Sequence, residues 1–420
     1  MKTHTKVILD EWFGKLAVII LNFSARFLGA ILSIDHSLEK TPRRIVVCKF
    51  LGMGSIIQAT PLLQTLRKNF PSSEIIFITS LANRSLLESI QSVDKVLCVD
   101  DKNTFGVITG TFAILKSLWA KKTDLYIDLE TYSYYSTAVA TLSCARNRFG
   151  FYRVERNIRM GVYTHMMFFN ARAPISQSYL QMARLAGCTS TVETIYKFPI
   201  SNEVLSVAKQ KVYAACGNSD GGIVVINPNA SDLRIERRWP PENFASLAKK
   251  LTATYPQKTI LLIGAANEKD WVNEIHQKLD DESKIKVFNV AGLFSLGELF
   301  AVINSAEVII TNDTGPMHIS FSLSRPTISL FGPASPSQYG QNPFAFGVYK
   351  NVYCSPCVHD FLTPPCKGDN QCMKQITVAE VFELCNTVFS QSQKEGNIQT
   401  SSMGYLKNDG TTSLGIVERD

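Results

Sequence analysis

The sequence predicts an α/β protein of two doubly wound domains, each a parallel sheet covered on both faces, facing one another across a cleft. Three observations predict it. The chain has 420 residues, 45% of them hydrophobic, more apolar material than one ordinary core takes up. Two stretches, one from Arg44 and one from Gly221, alternate short continuous apolar runs with helical patterns, as strands buried on both faces require. Between them, past residue 190, the alternation lapses into a mixed linker.

The first stretch opens with IVVCKF, followed by a helix from Ser55 to about Phe70, then EIIFIT, a helical stretch, KVLCVD, another helix and DLYIDL. After RFGFYR the periodicity fades, and QMARLAGC closes the first half as a helix near residue 190. The second stretch runs GGIVVINPN, a helix over Glu242 to Thr254, TILLIGA, a helix from Glu268, KVFNV, the helix LGELFAVIN, EVIITND, the helix MHISFSLS and PTISLFG. These patterns set domains at residues 44–195 and 196–390, preceded by a segment over 1–43. Residues 391–420, polar and without periodicity, read as a disordered tail.

Composition narrows the partners. Lys and Arg number 43 against 36 Asp and Glu, a net charge of +7 spread along the chain with no basic block, which argues against nucleic acid and for an acidic small molecule or an anionic membrane surface. Ten cysteines in a chain of this length are no disulfide scaffold; Cys48, Cys98, Cys144, Cys188 and Cys216 stand singly in apolar surroundings, which fits a reducing compartment. In the first segment, LAVIILNFSARFLGAILSI (Leu16 to Ile34) comes near to a membrane span, but Asn22, Ser24 and Arg26 interrupt it. It reads as an interfacial amphipathic helix, and an ordinary core helix shares that signature. Lys2, Lys6 and Lys15 against Asp10 and Glu11 make a weakly basic flank suited to anionic lipid.

In doubly wound sheets ligands bind at the carboxyl ends of strands, so the loops there carry the chemistry. The stretch from Glu307 to Pro333, EVIITNDTGPMHISFSLSRPTISLFGP, ends a strand, turns through Asn312, Asp313, Thr314 and Gly315, and starts a helix at Pro316 with His318 in its first turn. Free N–H groups and the positive dipole end make such a start an anion site; the plain alternative is a helix that Asp313 and Thr314 merely cap. INPNASDLRIERRWPPENFASLA brings Asn229, with Arg234, Arg237 and Arg238 within reach of a diphosphate, unless these arginines are simply solvated. LLIGAANEKDW places Glu268 where a carboxylate accepts from a ribose, or where it simply favours a helix start. In the first half, KFLGMGSIIQATPLL turns through Gly52 and Gly54 to Ser55.

Together these pieces resemble the family-nine glycosyltransferases, the ADP-heptose-type lipopolysaccharide heptosyltransferases and their relatives, over roughly residues 44 to 390. The resemblance lies in TNDTGPMHISFSLSRPTISLFGPASPSQYG above all, with support from NPNAS, RRWPPENFASLA, GMGSIIQATPLLQTLRKNFP, and CSPC followed by CM and ITVAEV. It implies the GT-B arrangement of two Rossmann-like domains, with the acceptor on the N-terminal one and the nucleotide sugar held mainly by the C-terminal one. It further implies donor contacts from Asp313, Thr314, Gly315 and His318, phosphate neutralisation by Arg237, and a nucleoside held by Glu268. The reaction implied is metal-independent displacement at an anomeric carbon, moving a sugar, heptose by preference, from a nucleotide diphosphate donor such as ADP-heptose to a lipid-linked or lipopolysaccharide-core acceptor. The expected location is the cytoplasmic face of the inner membrane, held peripherally.

One departure from the family stands out. Its members commonly carry an aspartate, the proposed catalytic base, where this chain has Ser55, and an unaided serine is a poor base. DLYIDLETYSYYS offers Asp128 and Glu130 at the end of another strand, and Glu130 is the first substitute, with a plain helix-start carboxylate as the alternative. Loss of that aspartate also leaves open a nucleotide-sugar-binding protein without transferase activity, and the architecture leaves open a nucleotide-sugar epimerase. Cys354, Cys357, Cys366 and Cys372, spaced C-x2-C-x8-C-x5-C, suit a structural zinc or iron-sulfur site, reduced thiols or a disulfide.

Overall fold

The apolar runs pair as parallel strands in two separate sheets in a computed structural model of the chain, which describes residues 3–38, 40–230, 234–358, 364 and 366–394. The chain divides into two units, residues 1–196 and 197–420.

The first unit holds β1 (Arg44–Cys48), β2 (Glu74–Ser80), β3 (Lys95–Val99), β4 (Leu125–Asp128), β5 (Asn147–Tyr152) and β6 (His165–Phe168) in the order β3-β2-β1-β4-β5-β6. Every pairing is parallel, with Cys48 opposite both Ile78 and Asp128. The Thr104–Trp119 and Tyr134–Leu142 helices pack against one side of the sheet, over Val46, Ile76 and Tyr126. The N-terminal segment is helical over Thr3–Leu9 and Lys15–Leu32 with a π-helical stretch, Asp10–Gly14, between, and it packs on the Tyr134–Leu142 helix.

The second unit repeats the plan with β7 (Ile223–Asn227), β8 (Thr259–Leu262), β9 (Val287–Asn289), β10 (Val308–Asn312), β11 (Thr327–Phe331) and β12 (Ala345–Tyr349) in the order β12-β11-β10-β7-β8-β9, again all parallel. Trp239, fully buried, donates its indole N–H to the Ile376 carbonyl and stacks edge-on against Phe244, tying the Pro241–Thr254 helix to the chain's last helix, Val378–Lys394.

Three strands go beyond the sequence expectation. β5 carries Arg148, whose guanidinium donates to the Val162 and Ala145 carbonyls, so a charged residue sits inside a strand. β6 and β12 are edge strands, where one unpaired side relaxes the demand for a continuous apolar run. The Val378–Lys394 helix runs into the stretch expected to be a disordered tail, and the rest of that stretch lies outside the described residues.

Gly150 in β5 lets the Tyr163 ring lie against the strand, since a Cβ there would stand 2.7 Å from two ring carbons. Gly150→Ala is therefore expected to lower the urea unfolding free energy by about 2 kcal/mol with an unchanged slope. A variant as stable as the parent would show that the ring is not held on this backbone.

Candidate functional site

In each sheet the strand order reverses once, between β1 and β4 and between β7 and β10. A crevice forms at such a switch point because the loops leave in opposite directions, and both groups of candidate residues lie there.

In the second unit three asparagines join the loops. Asn227, ending β7, donates to the hydroxyls of Thr311 (2.9 Å) and Thr314 (2.8 Å). Asn229 donates to Asn227 Oδ1 (3.1 Å) and to the Ile263 carbonyl after β8 (2.8 Å). Asn312 donates to the Asn229 carbonyl at 3.0 Å and accepts from Trp239 N–H at 3.2 Å. Thr314 thus spends its hydroxyl across the sheet rather than on its own helix, and the Gly315–Ser322 helix starts with no side-chain cap. The simple capping alternative is set aside by that geometry, and the helix keeps its N-terminal donors and positive dipole end.

Charge gathers at the same place. Arg237 Nη1 lies 3.3 Å from Asp313 Oδ2 and donates to the Asp313 carbonyl at 3.2 Å. Arg238 lies over the Trp271 ring, 4.6 Å from its centroid, while donating to the Ala230 carbonyl. Asn229 Oδ1, Arg237 Nε and Arg238 Nε are buried without a hydrogen-bond partner, and Asp313 Oδ2 has only its ion pair with Arg237. Buried polar atoms are almost always satisfied in a folded protein, so this convergence marks a place that a polar ligand or water completes. His318, buried, has its pKa pushed down to about 4 by desolvation, with Asp313 opposing and Arg237 adding to the shift. It is neutral at pH 7 and suited to hydrogen bonding rather than to proton exchange. Glu268 lies in a 3-10 turn, Ala266–Glu268, where its carboxylate accepts from the Ala265 N–H at 2.8 Å.

In the first unit both expected carboxylates have partners, though buried atoms such as Arg159 Nε and Asn147 Oδ1 have none. Glu130, buried, accepts from Lys49 Nζ (2.8 Å) and from the Phe50 and Leu51 N–H groups (2.8 and 2.9 Å). Ser80 and Asn83 hold the Phe50 carbonyl from the other side. Glu130 thus clamps the loop that leads to Gly52 and Ser55. Asp128, fully buried, accepts from Arg159 (3.2 Å), Ser136 (2.8 Å), the Glu130 N–H (2.9 Å) and the Tyr163 hydroxyl. Burial raises its pKa against the pull of Arg159, and it too is structural. Gly52 takes φ +84°, open to glycine at no steric cost, and Gly54 is buried in the Met53–Gln58 helix that follows. Ser55, half-buried in that helix, hydrogen-bonds the buried Tyr179.

Cys354, Cys357, Cys366 and Cys372 line one cavity of about 20 Å³. All four are free thiols, and among the described residues no three His, Cys, Asp or Glu side chains are arranged to hold a metal. Burial, with the neighbouring thiols adding, pushes Cys372 up to about 11. The geometry supports reduced structural thiols over the expected zinc or iron-sulfur site.

Sequence reasoning missed Asn227 and Trp271 in the second unit and Lys49, Arg159, Tyr163 and Tyr179 in the first. An asparagine ending an apolar strand was a readable signal for Asn227. Arg159 lies in a stretch without periodicity that gave none.

Two doubly wound Rossmann-like units, one of them with cationic side chains and an uncapped helix start at its switch point, are the architecture of the GT-B glycosyltransferases. Residues 111–363 match the family model of glycosyltransferase family 9 (heptosyltransferase), and the chain belongs to that family. It is a glycosyltransferase. The lipopolysaccharide heptosyltransferase 1 of Campylobacter coli is 24% identical over 359 residues, 82% of this chain and 99% of that protein. A family 9 glycosyltransferase from Veillonella parvula shares the fold with a TM-score of 0.68 at 24% identity, covering 83% of this chain and 97% of its own. The ADP-heptose lipopolysaccharide heptosyltransferase II of E. coli does so with a TM-score of 0.67 at 22% identity, covering 83% and 99%.

Two outcomes are expected from this geometry. Glu130→Gln leaves Lys49 without its counter-charge in a buried place, at a cost of about 3 kcal/mol in chemical denaturation; an unchanged midpoint would show that the carboxylate does not hold the loop. His318, ordinarily titrating near 6.5, is disfavoured as a cation in the folded state, so the unfolded chain binds the proton first. Stability should fall as pH drops from about 6.5 towards about 4, and melting curves of His318→Gln should lose that part of the slope. Identical acid profiles for the two proteins would contradict this.

Proposed function

We propose that the chain transfers heptose from a nucleotide diphosphate donor, ADP-heptose by preference, to a lipopolysaccharide-core acceptor at the cytoplasmic face of the inner membrane. The observation that carries the donor side is the gathering of buried atoms without a hydrogen-bond partner, Asn229 Oδ1, Arg237 Nε and Arg238 Nε, beside the Arg237–Asp313 ion pair at the uncapped start of the Gly315–Ser322 helix. Family membership and the names of the relatives supply the sugar and the acceptor class.

Glycosyl transfer breaks the bond between the anomeric carbon and the diphosphate and forms one to an acceptor hydroxyl. Negative charge grows on the departing diphosphate, where Arg237, Arg238 and the helix N–H groups meet it without reorganisation. Thr314 and Gly315 let phosphate oxygens approach, and neutral His318 donates or accepts a hydrogen bond to the donor. The Gly52–Ser55 corner receives the acceptor. Ser55 positions the attacking hydroxyl and does not serve as base; the hydroxyl's proton passes late to solvent water, when the bond to the diphosphate is largely broken. Catalysis in this chain therefore leans on leaving-group stabilisation. Glu268 holds the nucleoside ribose.

The test is release of nucleoside diphosphate from ADP-, GDP-, UDP- and dTDP-sugars, with and without lipopolysaccharide-core glycolipid. Acceptor-dependent release from ADP-heptose is expected, and Arg237→Ala should slow it by roughly 100-fold or more while folding normally. Donor binding without release under all conditions would favour a binding protein. Donor conversion that needs no acceptor would favour an epimerase.

A further inference from the structure

The N-terminal helix is inside out. Its polar side chains face the first unit: Asp10 accepts from the Tyr134 and Tyr135 N–H groups (2.9 and 2.6 Å), Glu11 pairs with Arg156, and Asn22 and Arg26 donate to the Met160 carbonyl. The contact is close-fitting, since a Cβ on Gly14 would stand 3.0 Å from Tyr134 Cβ. Apart from Val18, buried against Tyr134 and Val162, its large apolar side chains face outward, with Trp12 and Phe23 each 75% exposed and Phe27 60%.

A second helix does the same. Thr104–Trp119 exposes Phe105 (76%), Phe112 (61%) and Trp119 (52%), residues whose spacing of seven puts them on one stripe. Both helices flank Tyr134–Leu142: Asp10 bonds its first N–H groups, while Thr111 meets the Tyr135 hydroxyl and Trp119 donates to the Leu142 carbonyl. The three helices form one layer.

We propose that this layer is a docking plate for an anionic phospholipid bilayer, in which the Lys15–Leu32 and Thr104–Trp119 helices lie in the plane of the interface and neither spans it. Residues Val7–Leu32 are long and apolar enough to cross a membrane, but the bonds of Asp10, Asn22 and Arg26 to the first unit run along that length and hold the helix flat against it. Charge selects the occupant. The acidic residues of the helix, Asp10 and Glu11, are turned inward and bonded, whereas Lys15, Lys116, Lys121 and Lys122 are exposed, with Lys116 on the same stripe as Phe112. A cationic rim around an aromatic face suits anionic headgroups over an acyl interior. The inference deepens the inner-membrane placement above and does not depend on the sugar or the acceptor.

The experiment uses the full chain with vesicles of phosphatidylethanolamine, with and without phosphatidylglycerol, and with brominated acyl chains that quench nearby tryptophan. Binding should require phosphatidylglycerol, and Trp12→Phe and Trp119→Phe should each remove part of the quenchable emission. The pair Phe105→Glu and Phe112→Glu together should weaken vesicle binding roughly tenfold or more with an unchanged melting temperature, because both rings are exposed. Quenching that survives fully in Trp119→Phe, or undiminished binding by the double variant, would overturn the plate. A lipid-free dimer that the double variant abolishes would assign the face to a second copy and overturn it as well, as would resistance to alkaline carbonate extraction, the mark of a spanning helix. No donor or acceptor enters these measurements, so failure of heptosyl transfer leaves them intact.

Discussion

A parallel sheet covered on both faces sets the terms for everything else in this chain. Its strands are mostly apolar, because each face is packed with helix, so polar groups that do chemistry gather at the strands' carboxyl ends. The two sheets obey this alike: β1 and β4 end in the Lys49 and Glu130 loops, β7 and β10 in the Asn227 and Asp313 loops. The reversal of strand order at those pairs opens the loops from one another, and a site follows from topology before any residue is chosen.

What the units do with that place differs. In the first, the charges are consumed: Glu130 is held by Lys49 and two backbone N–H groups, and Asp128 by Arg159, Ser136 and Tyr163. Such a network fixes a loop and offers little to a ligand beyond the Gly52–Ser55 corner it presents. In the second, asparagines hold the loops together and leave Arg237, Arg238, Asp313 and Asn229 with unspent valence. Burying polar atoms unpaired costs folding free energy, and the protein tolerates that cost where a bound group recovers it. The contrast matches a division in which one unit grips a charged donor and the other positions a hydroxyl.

Most of the fold was readable because continuous apolar runs mean strands covered on both faces and little else. The missing strands, β5, β6 and β12, are those where this signal weakens, through the half-buried Arg148 in one and edge exposure in the others. The second unit's site was readable because its residues are local: Asp313, Thr314, Gly315 and His318 lie within six positions at a helix start. The first unit's was not, because whether Glu130 is a base or a clamp depends on Lys49 and on two N–H groups some eighty positions away. Sequence spacing identifies a carboxylate at a strand end; only the fold shows that its lone pairs are taken. The four cysteines teach the same lesson, since their spacing brought the thiols to one cavity, yet among the described residues no three His, Cys, Asp or Glu side chains are arranged to hold a metal.

The N-terminal helix shows how a correct pattern acquires its meaning only from orientation. Asn22 and Arg26 read as interruptions of an apolar segment, and an amphipathic helix buried by its apolar face would have turned them to solvent. They turn instead to the backbone carbonyls of the Val154–Arg159 turn and Met160, where unpaired acceptors reward polar donors. Once those bonds fix the polar face inward, the apolar face has no protein to cover it, and the same holds for the stripe on Thr104–Trp119. Exposed aromatic area of that extent is costly in water, and the cost is recovered where water is absent.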